Sequence, residues 1–233
     1  TATGTGTIQL TNLDATPAAN LSGLAAGLTV NGIIANTVTY TGSLTSLDSL
    51  TVNSGATLST DAANITGVTT TNNGTVSVTN LNAVPSMDLT KITGGTTNAN
   101  WSGDATFTGN LGSSNLTVSS GTMTVSTGTI SGSGTVAVNN GATLSADATD
   151  LSGETISGAG NITISNLQAQ TDSSFVGLDT GLNVTANWAS SSATYTGNLT
   201  NVDALSISSG TMTVTDNILG TLNNLPTTGC ARR

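Results

Sequence analysis

The chain of 233 residues contains no histidine, one cysteine and only three basic residues. Without histidine, catalytic triads with an imidazole base and metal sites with imidazole ligands are excluded. The single cysteine, Cys230, excludes an intrachain disulfide, so packing and backbone hydrogen bonds must hold the fold together. Lys91 is the only basic residue before the terminal pair 232–233, and twelve acidic residues bring the net charge to −9. Because the chain lacks the cations that neutralise phosphates, we expect neither nucleic acid nor anionic membranes as partners.

Aromatic residues (3%), charged residues (6%) and proline (three residues) are also scarce. No hydrophobic run approaches the roughly 18 residues of a membrane span, so none is predicted. No window combines strong helix formers with a 3.6-residue period. Disorder is not expected, because it usually combines low hydrophobicity with high charge or proline. These absences favour ordered β-structure, with the 28 glycines marking frequent turns.

Short runs of alternating polar and apolar residues are the dominant pattern that is present. The stretch 116–138, LTVSSGTMTVSTGTISGSGTVAV, consists of such runs separated by Gly-Ser corners. Because successive side chains of a strand point to opposite faces, each run has one apolar face and one hydroxyl-rich face. No single run buries enough apolar surface to be stable alone. Each must therefore stack on a similar neighbour, as in a solenoid.

Three imperfect copies of a long unit make up most of the chain. Their opening octapeptides are related in sequence and begin at Gly6, Gly74 and Gly160, which places them 68 and then 86 residues apart. The middle copy is longer because two of its turns, at 119–121 and 139–141, both match 53–55 of the first copy. These two turns are 20 residues apart, so one whole coil of about that length is inserted. A parallel coil tolerates such an insertion, whereas a closed sandwich would gain an unpaired strand.

The sequence therefore predicts an all-β fold, a right-handed parallel β-helix (β-solenoid) with about 20 residues per coil. The solenoid is expected over residues 1–220. Its three imperfect long repeats cover about 6–73, 74–159 and 160–220. An irregular C-terminal tail is expected over 221–233.

Two short segments are similar to segments of known proteins: Val52–Leu58 (VNSGATL) and Val138–Leu144 (VNNGATL). Both lie among Thr/Ser/Gly-rich predicted strands. They resemble the β-solenoid regions of bacterial surface adhesins, namely autotransporter passengers, filamentous-haemagglutinin-like proteins and giant repeat adhesins. The likeness covers roughly residues 6–215. It implies an extracellular or cell-surface location and a non-catalytic structural or adhesive role. Because open strand edges recruit further strands, we also expect self-association, either head to tail or lateral. The alternative partner is a surface or carbohydrate ligand.

The acidic residues favour structural roles over catalysis. Asp14 is replaced by Asn82 and Gln168 in the other copies, which is typical of turn positions that need any short polar group. A cluster of carboxylates over 147–154 leaves a paired-carboxylate glycosidase or a calcium site as alternatives. No basic residue accompanies that cluster, unlike in enzymatic β-helices, so we predict no enzyme activity, no cofactor and no metal.

The six aromatic residues occupy positions that favour core packing. Tyr40, Phe107 and Tyr195 share one repeat position, so the phenol hydroxyl is dispensable there. Trp101 and Trp188 match an isoleucine of the first copy. Interchange with aliphatic residues is typical of buried side chains, although exposed aromatics could stack on sugars.

Pairs of threonines two residues apart recur along the chain. With an inward apolar residue between them, both hydroxyls of a pair point outward. Stacked on a flat face, such rows can order water, and an ice-binding protein is therefore the alternative function. The high β-propensity of threonine explains the pairs equally well. The residues of this candidate ladder are Thr39, Thr41, Thr106, Thr108, Thr122, Thr124, Thr194, Thr196, Thr211 and Thr213.

A short motif near the C-terminus is similar to the LPxTG sorting signal of Gram-positive surface proteins. Its residues are Leu225, Pro226, Thr227, Thr228 and Gly229. The resemblance implies cleavage by a sortase after Thr228 and attachment to the cell wall. In that family a hydrophobic span and a basic tail follow, whereas here only residues 230–233 follow. A chance match in a Thr/Gly-rich tail and a truncated signal are the alternatives.

Overall fold

The computed structural model describes residues 2–24, 27–130, 132–189, 191–214 and 230–231. It is an all-β, parallel β-solenoid of about ten coils, each of about 20 residues. The predicted fold class is thereby confirmed. The predicted end of the solenoid near residue 220 and the sorting-signal motif 225–229 lie outside the described residues.

Short strands separated by tight corners make up each coil, as the alternating runs predict. In chain order the strands are β1 (Thr7–Leu10), β2 (Thr29–Ile34), β3 (Val38–Tyr40), β4 (Ser49–Val52), β5 (Thr57–Asp61), β6 (Thr69–Asn72), β7 (Thr75–Thr79), β8 (Ile92–Thr93), β9 (Thr96–Trp101), β10 (Ala105–Phe107), β11 (Asn115–Val118), β12 (Thr122–Val125), β13 (Val136–Val138), β14 (Thr143–Asp147), β15 (Ile156–Gly158), β16 (Asn161–Ser165), β17 (Asn183–Trp188), β18 (Ser191–Tyr195), β19 (Ala204–Ile207), β20 (Gly210–Val214) and β21 (Cys230–Ala231). The helices are single turns: α1 (Ala62–Ile65), α2 (Ala148–Leu151) and the 3-10 helices Leu13–Ala15, Leu81–Ala83, Leu89–Lys91 and Leu167–Ala169.

The strands form four parallel sheets that run along the solenoid. Sheet 1 has the order β1-β2-β4-β6-β8, and sheet 2 has the order β15-β13-β11-β9-β7-β5-β3. Sheet 3 has the order β10-β12-β14-β16-β17-β19, and sheet 4 has the order β18-β20-β21. Because most neighbours in a sheet come from successive coils, the ladders satisfy the backbone donors and acceptors of the interior strands.

The inserted coil lies where the repeat comparison places it. Strand β12 follows the turn 119–121, and β14 follows the turn 139–141. Thr122 of β12 is in register with Thr143 of β14. The two matching turns therefore belong to successive coils, and the strands after the insertion keep the same sheets.

The core contains all six aromatic side chains, which confirms that they are not an exposed ligand platform. None of them is more than 1% exposed. Trp101 meets Phe107 edge to face, with ring centroids 6.1 Å apart and an interplanar angle of 85°. The Tyr195 hydroxyl donates to the carbonyl of Ser173 at 2.6 Å, and burial raises the pKa of Tyr195 to about 12. The aromatic rings therefore anchor the coils from inside.

The long sequence repeat advances by one sheet per copy. The equivalent strands β1, β7 and β16 lie in sheets 1, 2 and 3, and the aromatic strands β3, β10 and β18 lie in sheets 2, 3 and 4. This shift follows from the lengths of the repeats. The offset of 68 residues is about three coils and a third, and the offset of 86 residues is about four coils and a third, if a coil has about 20 residues. Positions that correspond in the repeat therefore do not stack on one another.

One repeat position shows why different polar residues replace each other in the three copies. The side-chain oxygens of Asp14, Asn82 and Gln168 each accept a backbone N–H from the coil that follows, at 3.0, 3.2 and 3.0 Å. Hydrogen bonds from Asn36 and from the backbone N–H of Ala35 hold the pKa of Asp14 below its usual value. The position requires a side-chain carbonyl-type oxygen, which Asp, Asn and Gln all supply.

Candidate functional site

Most carboxylates in the described part of the chain accept hydrogen bonds from a neighbouring coil. Asp48, Asp104 and Asp203 each accept a backbone N–H that lies 18 or 19 residues away in sequence, in all three cases at 2.7 Å. Such charge-assisted bonds satisfy backbone donors at the first or second residue of β2, β12 and β17. We therefore assign these three carboxylates to coil-to-coil stabilisation.

Two members of the carboxylate cluster at 147–154 also accept hydrogen bonds from other residues. Asp147 accepts hydrogen bonds from the hydroxyl of Ser165 and from the amide of Asn166, the latter at 3.0 Å. Glu154 accepts a backbone N–H at 3.2 Å. Burial, followed by the negative charge of Asp147, raises the pKa of Asp150. In the described part of the chain no group of three His, Cys, Asp or Glu residues could hold a metal ion.

Substitution of Asp150 gives a prediction about stability, and the reverse substitution at the equivalent residue of α1 serves as its control. The equivalent residue of α1 is Asn64, so Asp150→Asn introduces a side chain that the same local structure already accepts. The raised pKa means that ionisation of Asp150 costs the folded state more than the unfolded state. This cost grows as the pH rises from the unfolded pKa through the folded pKa and is complete at neutral pH. We expect Asp150→Asn to increase stability at pH 7 by less than about 1 kcal/mol, because the half-exposed group is screened by solvent.

The measurement is thermal unfolding at pH 7 and at pH 3 with the variant Asn64→Asp as the control. Asp150→Asn should raise the Tm at pH 7 and lose this advantage at pH 3, where the carboxyl of the parent chain is protonated. Asn64→Asp should lower the Tm at pH 7. If Asp150→Asn raised the Tm equally at both pH values, the stabilisation could not come from removal of the carboxylate charge.

An open cleft of about 370 Å³ lies beside the N-terminus of α1 and contains two residues of the candidate ladder, Thr39 and Thr41. Several of its polar groups are already hydrogen-bonded. Asp61 accepts the amide of Asn80 at 2.7 Å, and the Asn64 amide donates to the Thr41 carbonyl at 3.5 Å. The hydroxyls of Thr39 and Ser59 are left without a partner among the described residues, but the one carboxylate of the cleft, Asp61, is paired, so the cleft offers no free charged group to a small molecule.

The candidate threonine ladder is divided among the sheets. Thr39, Thr106 and Thr194 correspond in the repeat, but they lie in sheets 2, 3 and 4. Within a sheet, Thr106 is directly in register with Thr124, and Thr194 is in register with Thr213. These two pairs are the ladder residues that the structure brings side by side.

The remaining ladder residues take two kinds of position. Thr41, Thr108 and Thr196 are exposed and lie one residue beyond the ends of β3, β10 and β18. Thr122 is in register with Thr143, and Thr211 is in register with Ser192. These neighbours were not included in the predicted ladder.

Sheet 3 carries the longest continuous row of outward hydroxyls. The row runs through five successive strands, in direct register, and consists of Thr106, Thr124, Ser145, Thr163 and Thr185. In the described part of the chain none of these five hydroxyls has an intramolecular hydrogen-bond partner. A second outward row lies beside it and consists of Thr122, Thr143, Asn161 and Asn183. We call these nine residues the hydroxyl face.

Sequence reasoning missed Ser145, Thr163 and Thr185 because it compared positions of the long repeat. The signal that finds them is the coil length, since members of the row follow one another at intervals of 18 to 22 residues. Hydrogen-bonded neighbours in a solenoid are set by the coil, whereas the long repeat moves each position to another sheet.

The outward rows of the other sheets differ from the hydroxyl face. On sheet 2 the row that begins at Thr39 changes to asparagine, where the Asn115 amide donates to the Asn98 side-chain oxygen at 2.9 Å. On sheet 1 the threonine row is shorter and consists of Thr51, Thr71 and Thr93. The Thr93 hydroxyl donates to the backbone at 3.3 Å. The hydroxyl face therefore has the longest row of unpaired hydroxyl groups.

Comparison with known proteins finds no matching family model, no matching curated protein and no matching solved structure. Among the described residues no helix has the length and hydrophobicity that crossing a membrane requires.

Proposed function

We propose that this chain is a non-catalytic structural or adhesive segment of a bacterial extracellular surface protein or filament. The observation that carries the proposal is the distribution of its side chains along about ten coils. The aromatic residues are buried, and the carboxylates at the corners and in the 147–154 cluster accept bonds that mostly join neighbouring coils. A solenoid of this kind supplies a stiff rod and a long hydroxyl- and amide-rich surface, which suit display and cohesion.

The edge of sheet 1 supports self-association through the ends of the rod. Strand β1 pairs with β2 on one side and has no strand partner on its other side in the described part of the chain. Its inward side chains Ile8 and Leu10 are only partly buried, whereas Val30 and Leu50 on the following strands are at most 2% exposed. An unpaired strand edge beside partly exposed apolar side chains recruits another strand. Head-to-tail contacts that do not close would extend such an assembly into a filament.

Small-angle scattering and sedimentation over a range of protein concentrations test this proposal. At low concentration we expect a rod about 50 Å long, as ten coils at about 4.8 Å each require. At higher concentration we expect the length to increase while the cross-section stays constant, and electron microscopy should show filaments. A particle that stays monomeric at every concentration would contradict end-to-end association. Release of reducing sugar from polysaccharides would contradict a non-catalytic role.

A further inference from the structure

We infer that the hydroxyl face of sheet 3 binds an ordered water lattice, that is, the surface of ice. This inference goes beyond the proposed structural role, because it assigns a partner to one face of the rod. It rests on the two rows of the face, in which residues of neighbouring strands are in direct register. The longer row begins at Thr106 and ends at Thr185.

The spacing of the face is regular in two directions. Parallel strands lie about 4.8 Å apart, and alternate residues along a strand lie about 6.7 Å apart. Five consecutive strands carry the longer row without a register shift, so its hydroxyl and methyl groups form a regular array. These intervals are comparable to repeat distances between oxygen atoms in ice. The array can therefore hold first-shell waters in positions that continue into a crystal.

The hydroxyls of the longer row are available for this purpose. They make no intramolecular hydrogen bonds in the described part of the chain. In the second row the Asn183 amide donates to the Asn161 side-chain oxygen at 3.0 Å, so these two side chains are held in a fixed orientation. Free hydroxyls beside oriented amides give a rigid polar surface that loses little side-chain entropy on binding.

The composition of the face disfavours other partners. Sugar recognition commonly uses exposed aromatic rings, and all six aromatic side chains are buried. Val176, at 55% exposed, is the one exposed large hydrophobic residue in the described part of the chain, and it lies outside sheet 3. Lateral docking of a second copy would bring together two chains of net charge −9 without apolar area to bury. Ordered water requires neither aromatic rings nor opposite charge.

The test compares matched variants of the full chain for ice shaping and for inhibition of ice recrystallisation. Thr163→Tyr places a bulky side chain in the middle of the longer hydroxyl row and is compatible with a strand. Thr71→Tyr is the control, because Thr71 is the middle residue of the shorter threonine row on sheet 1. We expect the parent chain and Thr71→Tyr to shape ice crystals, and Thr163→Tyr to lose this activity. Circular dichroism and thermal unfolding of each variant report whether the fold is kept.

Two results would overturn the inference. One is a parent chain that leaves ice crystals unshaped at concentrations where it is folded. The other is an equal loss of activity in both variants, which would place ice binding elsewhere or nowhere specific. If Thr163→Tyr does not fold, Thr124→Tyr on the neighbouring strand replaces it. The scattering experiment on rod length and assembly is independent, so failure of one proposal is distinguishable from failure of the other.

Discussion

Replacement of Trp101 by alanine is expected to destabilise the solenoid by about 3–5 kcal/mol. The indole is fully buried at the end of β9 and packs edge to face against Phe107. Its ring N–H donates to the Gly103 carbonyl at 2.6 Å. Trp101 is in register with Val118 of the next coil, so the cavity would lie between two coils and not at an end of the rod. Backbone ladders on both sides prevent the coils from collapsing into this space.

Urea unfolding followed by circular dichroism measures the loss. Val176→Ala is the control, because Val176 is 55% exposed and its truncation should change stability by less than about 0.5 kcal/mol. In the Trp101→Ala chain, Trp188 remains as a fluorescent reporter several coils away. Coincident fluorescence and dichroism curves would indicate that the coils unfold together. A change in the midpoint no larger than that of Val176→Ala would contradict the burial of Trp101.

Replacement of Gly109 by alanine is expected to destabilise the fold by about 3 kcal/mol or more. A Cβ atom at this position would lie 2.0 Å from the carbonyl oxygen of Met87 in the preceding coil. The obstacle is backbone, and it cannot withdraw without breaking the stacking of the two coils. The equivalent glycines Gly42 and Gly197 face carbonyl oxygens of preceding coils at 2.6 and 2.0 Å. The glycine that lies two residues after each of the three aromatic strands is thus required by the close approach of successive coils.

Gly6→Ala is the matched control, because a Cβ atom at Gly6 meets nothing within 4 Å. We expect Gly6→Ala to unfold at nearly the same urea concentration as the parent chain and Gly109→Ala at a much lower one. Equal midpoints for the two variants would show that the corner at Gly109 relaxes without cost. Measuring Gly197→Ala in the same way tests whether the requirement holds in the third copy.

The alternation of apolar and polar residues was sufficient to predict most of the fold. A strand has a side-chain period of two, so runs such as those of β7 and β16 could only bury one face. The interval of 20 residues between matching turns in the middle copy predicted the coil length, and β11 pairs with β13 at that interval, with Leu116 in register with Val136 and Val118 with Val138. The interchange of aromatic with aliphatic residues predicted a buried position, and Trp101 and Trp188 are both buried.

Placement of the outward side chains was less predictable. The long repeat made Thr39, Thr106 and Thr194 look like members of one ladder, whereas they lie in three sheets. The hydroxyl face instead joins Thr106 to Ser145 and Thr163, which occupy unrelated positions of the repeat.

The sequence by itself determined that this chain forms short strands, which side chains face inward, and how many residues complete a coil, because strand alternation and turn residues are local properties. The tertiary structure alone decided which outward residues become neighbours. The physical reason is that hydrogen bonds join a strand to the coil above and below it. A repeat that exceeds whole coils by about a third moves each copy to the next sheet, so surface neighbours follow the winding of the chain and not its repeats.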